Sequence, residues 1–104
     1  MKKTFILHFK PGPSWAPGKT SREQQYWSEH AIFMDKLFEE GVVIMGGPYT
    51  DYSKIMLIVE ANDESEIVNI FKNDPFILKS IFVLESITEW QIHLDARKKE
   101  PKVV

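Results

Sequence analysis

The chain has 104 residues, 43% hydrophobic and 27% charged, and its 13 Lys plus Arg against 15 Asp plus Glu leave a formal net charge of -2. That is the profile of one globular domain with a modest core, and it offers no clustered basic surface for nucleic acid. Cysteine is absent, so disulfide scaffolds, zinc-thiolate sites, iron-sulfur clusters and cysteine nucleophiles drop out together, leaving His, carboxylate, hydroxyl and backbone chemistry.

Residues 4–9, Thr-Phe-Ile-Leu-His-Phe, are β-branched and aromatic and run into Pro11-Gly12-Pro13, which predicts a strand followed by a breaker. His8 and Lys10 cut the apolar run short, so neither a signal peptide nor a membrane span is expected, and the cytoplasm is the default location. The Pro- and Gly-rich stretch 10–19 reads as a long loop carrying one large aromatic, Trp15, placed to act as a lid.

Thr20 and Glu23 have capping-box spacing and Gly41 supplies a stop, which together predict a first helix between them. Its apolar stripe is Trp27, Ala31, Met34, Leu37 and Phe38, with His30 on the edge facing the sheet and Arg22, Glu29, Lys36 and Glu39 on the wet side. Val42–Met45 reads as a short strand ending at Gly46-Gly47-Pro48, where a bend is expected and a ligand can approach without meeting a Cβ. No helix and no Lys-Ser/Thr follows, so these glycines do not form a phosphate loop.

Residues 54–61 form the next predicted strand, with Ile55, Leu57 and Val59 on one face and Met56 and Ile58 on the other. Asp63 and Glu66 open a second helix that buries Ile67, Ile70 and Phe71. The same step reaches Asp74, where Pro75 biases the backbone out of helical geometry and ends the element. Residues 76–81 are a short apolar connector or one more helical turn, residues 82–94 a long last strand, and residues 96–104 a charged tail behind a domain spanning 1–95.

The order strand, helix, strand, strand, helix, strand suits an α+β, ferredoxin-like βαββαβ fold. Its four-stranded antiparallel sheet would carry both helices on one face and the first and third strands in the middle. Two helices cannot cover the second face. At about 25 cal/mol per Å², several hundred Å² of apolar surface left open there would forgo roughly 10 kcal/mol. A second copy packing sheet to sheet about a two-fold axis is the economical cover, so a homodimer through the open face is expected.

His30 and Asp74 each fall on the sheet-facing stripe or exit of a helix, and both helices lie on the same face. They can meet across one cleft, where a carboxylate beside an imidazole sets its tautomer and prepares it as a general acid or base near neutral pH. Spacing alone leaves a second reading open, in which Asp74 only ends the helix and His30 fills a boundary position. His8 and His93 read as structural or surface groups, and three His without a carboxylate at short spacing make no metal signature, so neither a metal nor a cofactor is expected.

The run SEHAIFMDKLFEEGVVIMGGP at residues 28–48, followed by a strand, a helix and Asn73-Asp74-Pro75-Phe76, resembles the YCII-related proteins. Their pattern is a His on the first helix, Gly-Pro after the second strand and Asp-Pro-Phe after the second helix. The resemblance spans residues 1 to about 95 and implies a dimeric α/β barrel of the ferredoxin-like kind, similar in fold to muconolactone isomerase. It also implies a His-Asp active site, here His30 and Asp74, with Gly47 and Pro48 beside it; related proteins include a dehydrochlorinase acting on a chlorinated aromatic. The chain departs from the family in its longer loop before the first helix. It also reads Gln24-Gln25-Tyr26-Trp27-Ser28-Glu29 where members often carry a basic residue.

The resulting expectation is a small-molecule enzyme that moves protons in an elimination or isomerisation without a redox cofactor. His30 would act as acid or base, Asp74 would orient it, and Trp15, Tyr26 and Tyr49 would supply apolar walls. The alternatives are a non-catalytic ligand-binding or accessory module on the same fold and, from the wider fold class, a cofactor-free monooxygenase or haem-binding relative.

Overall fold

Alternating burial along Lys3–Pro11 makes the first strand, β1, which turns Phe5, Leu7 and Phe9 inward and Thr4, Ile6 and His8 outward. It stops where Gly12 donates its N–H to the Ile81 carbonyl at 2.8 Å, and a Cβ at Gly12 would lie 2.3 Å from the Ser80 carbonyl oxygen. The computed structural model describes residues 1–98. In chain order the other elements are α1 (Trp27–Glu39), β2 (Val43–Pro48), β3 (Ile55–Ala61), α2 (Glu64–Phe71), a one-turn α3 (Pro75–Leu78) and β4 (Phe82–Glu89). Three-residue 3-10 turns lie at Ser21–Glu23 and Ala96–Lys98. The expected tail begins in the second of these, and from residue 99 onward it lies outside the described residues.

The strands line up as β2-β3-β1-β4, all antiparallel, so the first and third are central and the fold is the ferredoxin-like α+β arrangement. On one face Phe5, Leu7, Phe9, Ile55, Leu57, Val59 and Phe82 join Leu37 of α1, Ile67 and Phe71 of α2 and Phe76 of α3 in a single core. The other face is mixed: Ile6 pairs with Ile58 and Met45 with Ile58, giving an apolar row, while Thr4, His8, Glu60 and Ser86 interleave polar groups. Among the described residues no helix is long and apolar enough to cross a membrane.

Four boundaries differ from the sequence expectation, each for a local reason. The Thr20–Glu23 capping box is real, Glu23 accepting from the Thr20 N–H at 2.9 Å, but it caps only the 3-10 turn. Gln24 then goes extended and Tyr26 takes a left-handed φ of 65° before α1 begins at Trp27. The Gly46-Gly47-Pro48 run does not bend. It continues β2 along β3, because a Cβ at Gly46 would stand 2.2 Å from a Leu57 methyl, and Pro48 is tolerated on this edge strand. The second helix ends at Phe71, short of Asp74, and a new helical turn starts at Pro75.

The last strand ends at Glu89, not Leu94. Glu89 pairs with Phe5 and the Trp90 N–H reaches the Thr4 carbonyl at 2.8 Å, and the chain leaves the sheet from there, near the start of β1. The expected stop at Gly41 holds. Gly41, at φ 80°, donates to the Phe38 carbonyl and Val42 donates to that of Leu37, the two bonds of a Schellman motif.

Candidate functional site

Asp74 occupies the break between α2 and α3. Pro75 at the first helical position keeps Asp74 extended, with ψ 125°, and as N-cap its Oδ1 accepts the Phe76 N–H at 2.9 Å. The same oxygen lies 2.7 Å from Nδ1 of His30, which stands in the first turn of α1. Both residues are buried, Asp74 at 1% exposure and His30 at 8%. With Asp74 accepting as a carboxylate, Nδ1 is the donor of this bond, and in the neutral ring that tautomer leaves the lone pair on Nε2.

The imidazole is clamped by aromatic rings. Phe76 stacks on it at 3.9 Å between centroids and 4° between planes, while Phe82 meets it edge-on at 5.6 Å. Packing of this kind holds a general acid or base in a single rotamer, and Asp74 holds its tautomer.

His30 and Asp74 border a cavity of about 450 Å³. Its floor is the core face of the sheet at Phe9, Ile55, Leu57 and Phe82, and Trp27 and Met34 of α1 flank the histidine. Gly46, Gly47 and Pro48 of β2 form the far wall, and Tyr52, from the β2–β3 turn, adds an aromatic edge. The remaining side is the 3-10 turn, which contributes Thr20, Ser21 and Arg22. A more open groove of about 650 Å³ runs between α1 and α2, its wall mixing Phe33, Leu37 and Ile70 with polar chain such as Asp63, Glu66 and Asn69, and no histidine lines it.

The structure thus brings His30, Asp74, Gly47 and Pro48 to one cavity. The three aromatic residues expected as walls go elsewhere. Trp15 packs behind the lining, stacked on Phe82 at 5.8 Å and 6.4 Å from Tyr52. Its loop is fastened and does not hang as a lid, since Gln24, 5% exposed, accepts from the Ala16 N–H at 2.8 Å and donates to the Ala16 carbonyl at 3.0 Å. Tyr26 is 39% exposed with the Lys79 ammonium 5.3 Å over its ring, away from the cavity lining. Tyr49 reaches the opposite face of the sheet, where its hydroxyl lies 3.0 Å from Nε2 of His8.

His93 is exposed beyond the end of β4, and among the described residues no three His, Asp or Glu side chains gather as a metal would require. Thr20, Ser21 and Arg22 are polar lining residues that sequence reasoning did not place at the cavity. Arg22 was placed on the wet side of a helix that does not yet exist at that position. The missed signal is the break in apolar periodicity between Glu23 and Trp27.

The YCII-related domain matches residues 4–91, and the chain belongs to that family. Among curated proteins none matches the sequence. A similar solved structure is the 5-chloro-2-hydroxyhydroquinone dehydrochlorinase of Burkholderia phenoliruptrix AC1100 in complex with 2,5-dihydroxybenzoquinone. It is 21% identical, with a TM-score of 0.62 over 84% of this chain and 93% of that one. At that identity the likeness is one of fold.

Proposed function

We propose that this YCII-related chain is a small-molecule enzyme in which His30 moves a proton in an elimination or isomerisation and Asp74 positions it. The observation that carries the reading is the 2.7 Å contact from Nδ1 to a buried carboxylate on the wall of a largely apolar cavity, which leaves Nε2 as the group for a substrate. As base, Nε2 takes a proton from carbon or hydroxyl; the imidazolium formed is neutralised by Asp74; the electron pair left behind forms a double bond as a leaving group departs or a proton returns elsewhere. The aromatic floor excludes water, and Gly47 and Pro48 border the substrate opposite α1. The dehydrochlorinase of similar fold supports elimination as the reaction class. Trp15, behind Phe82 and Tyr52, stiffens the wall in this reading, and no metal or redox group is called for.

The same reading has the chain working in the cytoplasm, which a cysteine-free sequence suits. It pairs as a homodimer through the open sheet face, supported by the apolar row of Met45, Ile58 and Ile6. Light scattering that returned a lone protomer at micromolar concentration would remove the dimer from the reading.

The activity test is a panel of chlorinated hydroxyquinols and enolisable lactones, followed by chloride release and by deuterium incorporation in D2O. Wild-type protein turns over at least one of them, and His30→Gln loses about 10²- to 10⁴-fold, the usual contribution of a positioned acid or base. Compounds that bind without turnover would make the chain a binding module, and turnover that survives His30→Gln would remove His30 from the chemistry.

A further inference from the structure

The cavity has a second polar corner that proton transfer at His30 does not use. Among the described residues, Ser21 Oγ is a buried side-chain oxygen with no hydrogen-bond partner. Buried hydroxyls are nearly always paired, because leaving one unpaired costs the desolvation of the group. Ser21 borders the cavity, and so does its neighbour Arg22. The guanidinium of Arg22 lies 5.7 Å from the centroid of the Trp27 ring, and Trp27 in turn lies 5.6 Å from the His30 ring. One indole therefore separates the exposed Arg22 guanidinium from the imidazole. The turn that presents Ser21 and Arg22 is itself braced, by Glu23 on the Thr20 N–H and by Gln24 on Ala16.

From this placement we infer that Ser21 and Arg22 form an anion subsite and that the substrate is a flat, ring-sized molecule bearing a carboxylate. The inference rests on the proposed acid–base role of the cavity and adds the charge of what enters it. Arg pairs with a planar anion through two parallel N–H bonds, and the orphan Ser21 hydroxyl donates a third to one of its oxygens. The rest of the wall, Phe9, Trp27, Tyr52 and Phe82, is suited to the faces and edges of a ring and offers no other cation. Bound in this way, the ring lies along Trp27 with its far edge toward Nε2 of His30.

The test compares 2,5-dihydroxybenzoate with hydroquinone, the same ring lacking the carboxylate, by calorimetry and by NMR line shifts on the full chain. Wild-type protein binds the benzoate about tenfold or more tighter, the scale of one charge-assisted pair. Arg22→Gln and Ser21→Ala each remove most of that preference, and Arg22→Lys keeps part of it because charge remains but the fork is lost. Ser21→Ala melts no lower than wild type, since it deletes an unpaired hydroxyl.

His30→Gln leaves the benzoate preference in place, which separates this subsite from the chemistry at the imidazole. If the two compounds bind equally, if neither binds, or if the preference survives both Arg22→Gln and Ser21→Ala, the subsite is refuted whatever His30 does. A fall in melting temperature for Ser21→Ala overturns it as well, because the hydroxyl then has a structural partner. A phenolate-only ligand would show itself as hydroquinone binding that strengthens above the phenol's pKa with no benzoate preference, and that too counts against the carboxylate.

Discussion

Replacing Asp74 by Asn and by Ala should give very different proteins, because one oxygen holds two buried donors. Oδ1 accepts both from His30 Nδ1 at 2.7 Å and from the Phe76 N–H at 2.9 Å. Alanine orphans both donors in a site where Asp74 is 1% exposed; at about 1–3 kcal/mol for each unpaired buried group, the combined loss is about 2–6 kcal/mol. Asparagine can place its carbonyl oxygen where Oδ1 was and keep both bonds, giving up only the gain of a charged acceptor over a neutral one, about 1 kcal/mol. Asn is also as good an N-cap as Asp for α3.

For a domain of this size each kcal/mol moves the melting temperature by roughly 4–8 °C. The Ala variant should therefore melt about 10 °C or more below wild type, and the Asn variant within several degrees of it. Urea unfolding gives the free energies. Nitrogen chemical shifts of the His30 ring, assigned with His30→Gln, report whether Nδ1 still carries the hydrogen, which it should in the Asn variant. Turnover should then fall about 5- to 30-fold in Asp74→Asn, less than on removing His30, because the imidazolium loses its counter-charge but not its geometry. Equal destabilisation by Asn and Ala, or a tautomer switched in the Asn variant, would refute the idea that a single oxygen serves both donors.

Four other outcomes follow from the geometry. Ser80 ends α3 at φ 59°, with its N–H on the Ile77 carbonyl and the Ile81 N–H on that of Phe76; Ser80→Gly relieves a left-handed side-chain penalty and should stabilise by about 0.5–1 kcal/mol in urea unfolding. Gly46→Ala puts a Cβ 2.2 Å from a Leu57 methyl and 2.9 Å from the Met56 carbonyl oxygen, an overpacking that should cost about 1–3 kcal/mol by the same assay. Gln24→Ala frees both ends of the Ala16 peptide, and limited proteolysis should then cut within residues 13–19 much faster than in wild type.

Acid weakens the Asp63 cap. The Glu66 N–H, then the Ser65 hydroxyl, hold its carboxyl below the ordinary 3.8. Its stabilisation is complete above that unfolded value and fades as pH drops through the lower folded one, so Asp63→Asn should flatten the acid limb of stability against pH below about 4.

Much of the fold can be read along the chain because its signals act over a few residues. Asp63 three before Glu66, Gly41 after the last helical turn and the β-branched runs at β1 and β3 each decide a boundary within reach of their own side chains. Asp74-Pro75 belongs with them: the proline ring dictates the break, and the break aims the carboxylate. Strand order followed from right-handed crossovers alone.

The rest required the assembled tertiary structure. His30 and Asp74 are separated by 44 positions, and only packing of α1 against α3 and β4 brings Nδ1 to 2.7 Å from Oδ1. The capping box at Thr20 looks the same in sequence whether it opens a helix or a three-residue turn. Gln24 decided it by spending its amide on Ala16, and that is what delivers Ser21 and Arg22 to the cavity. Tyr49 likewise carries no mark of its destination: the side of the sheet it reaches depends on the turn after β2, where Tyr52 takes a φ of 60°. Local chemistry determines where elements begin and end, whereas the company a side chain keeps depends on contacts between residues far apart in the chain.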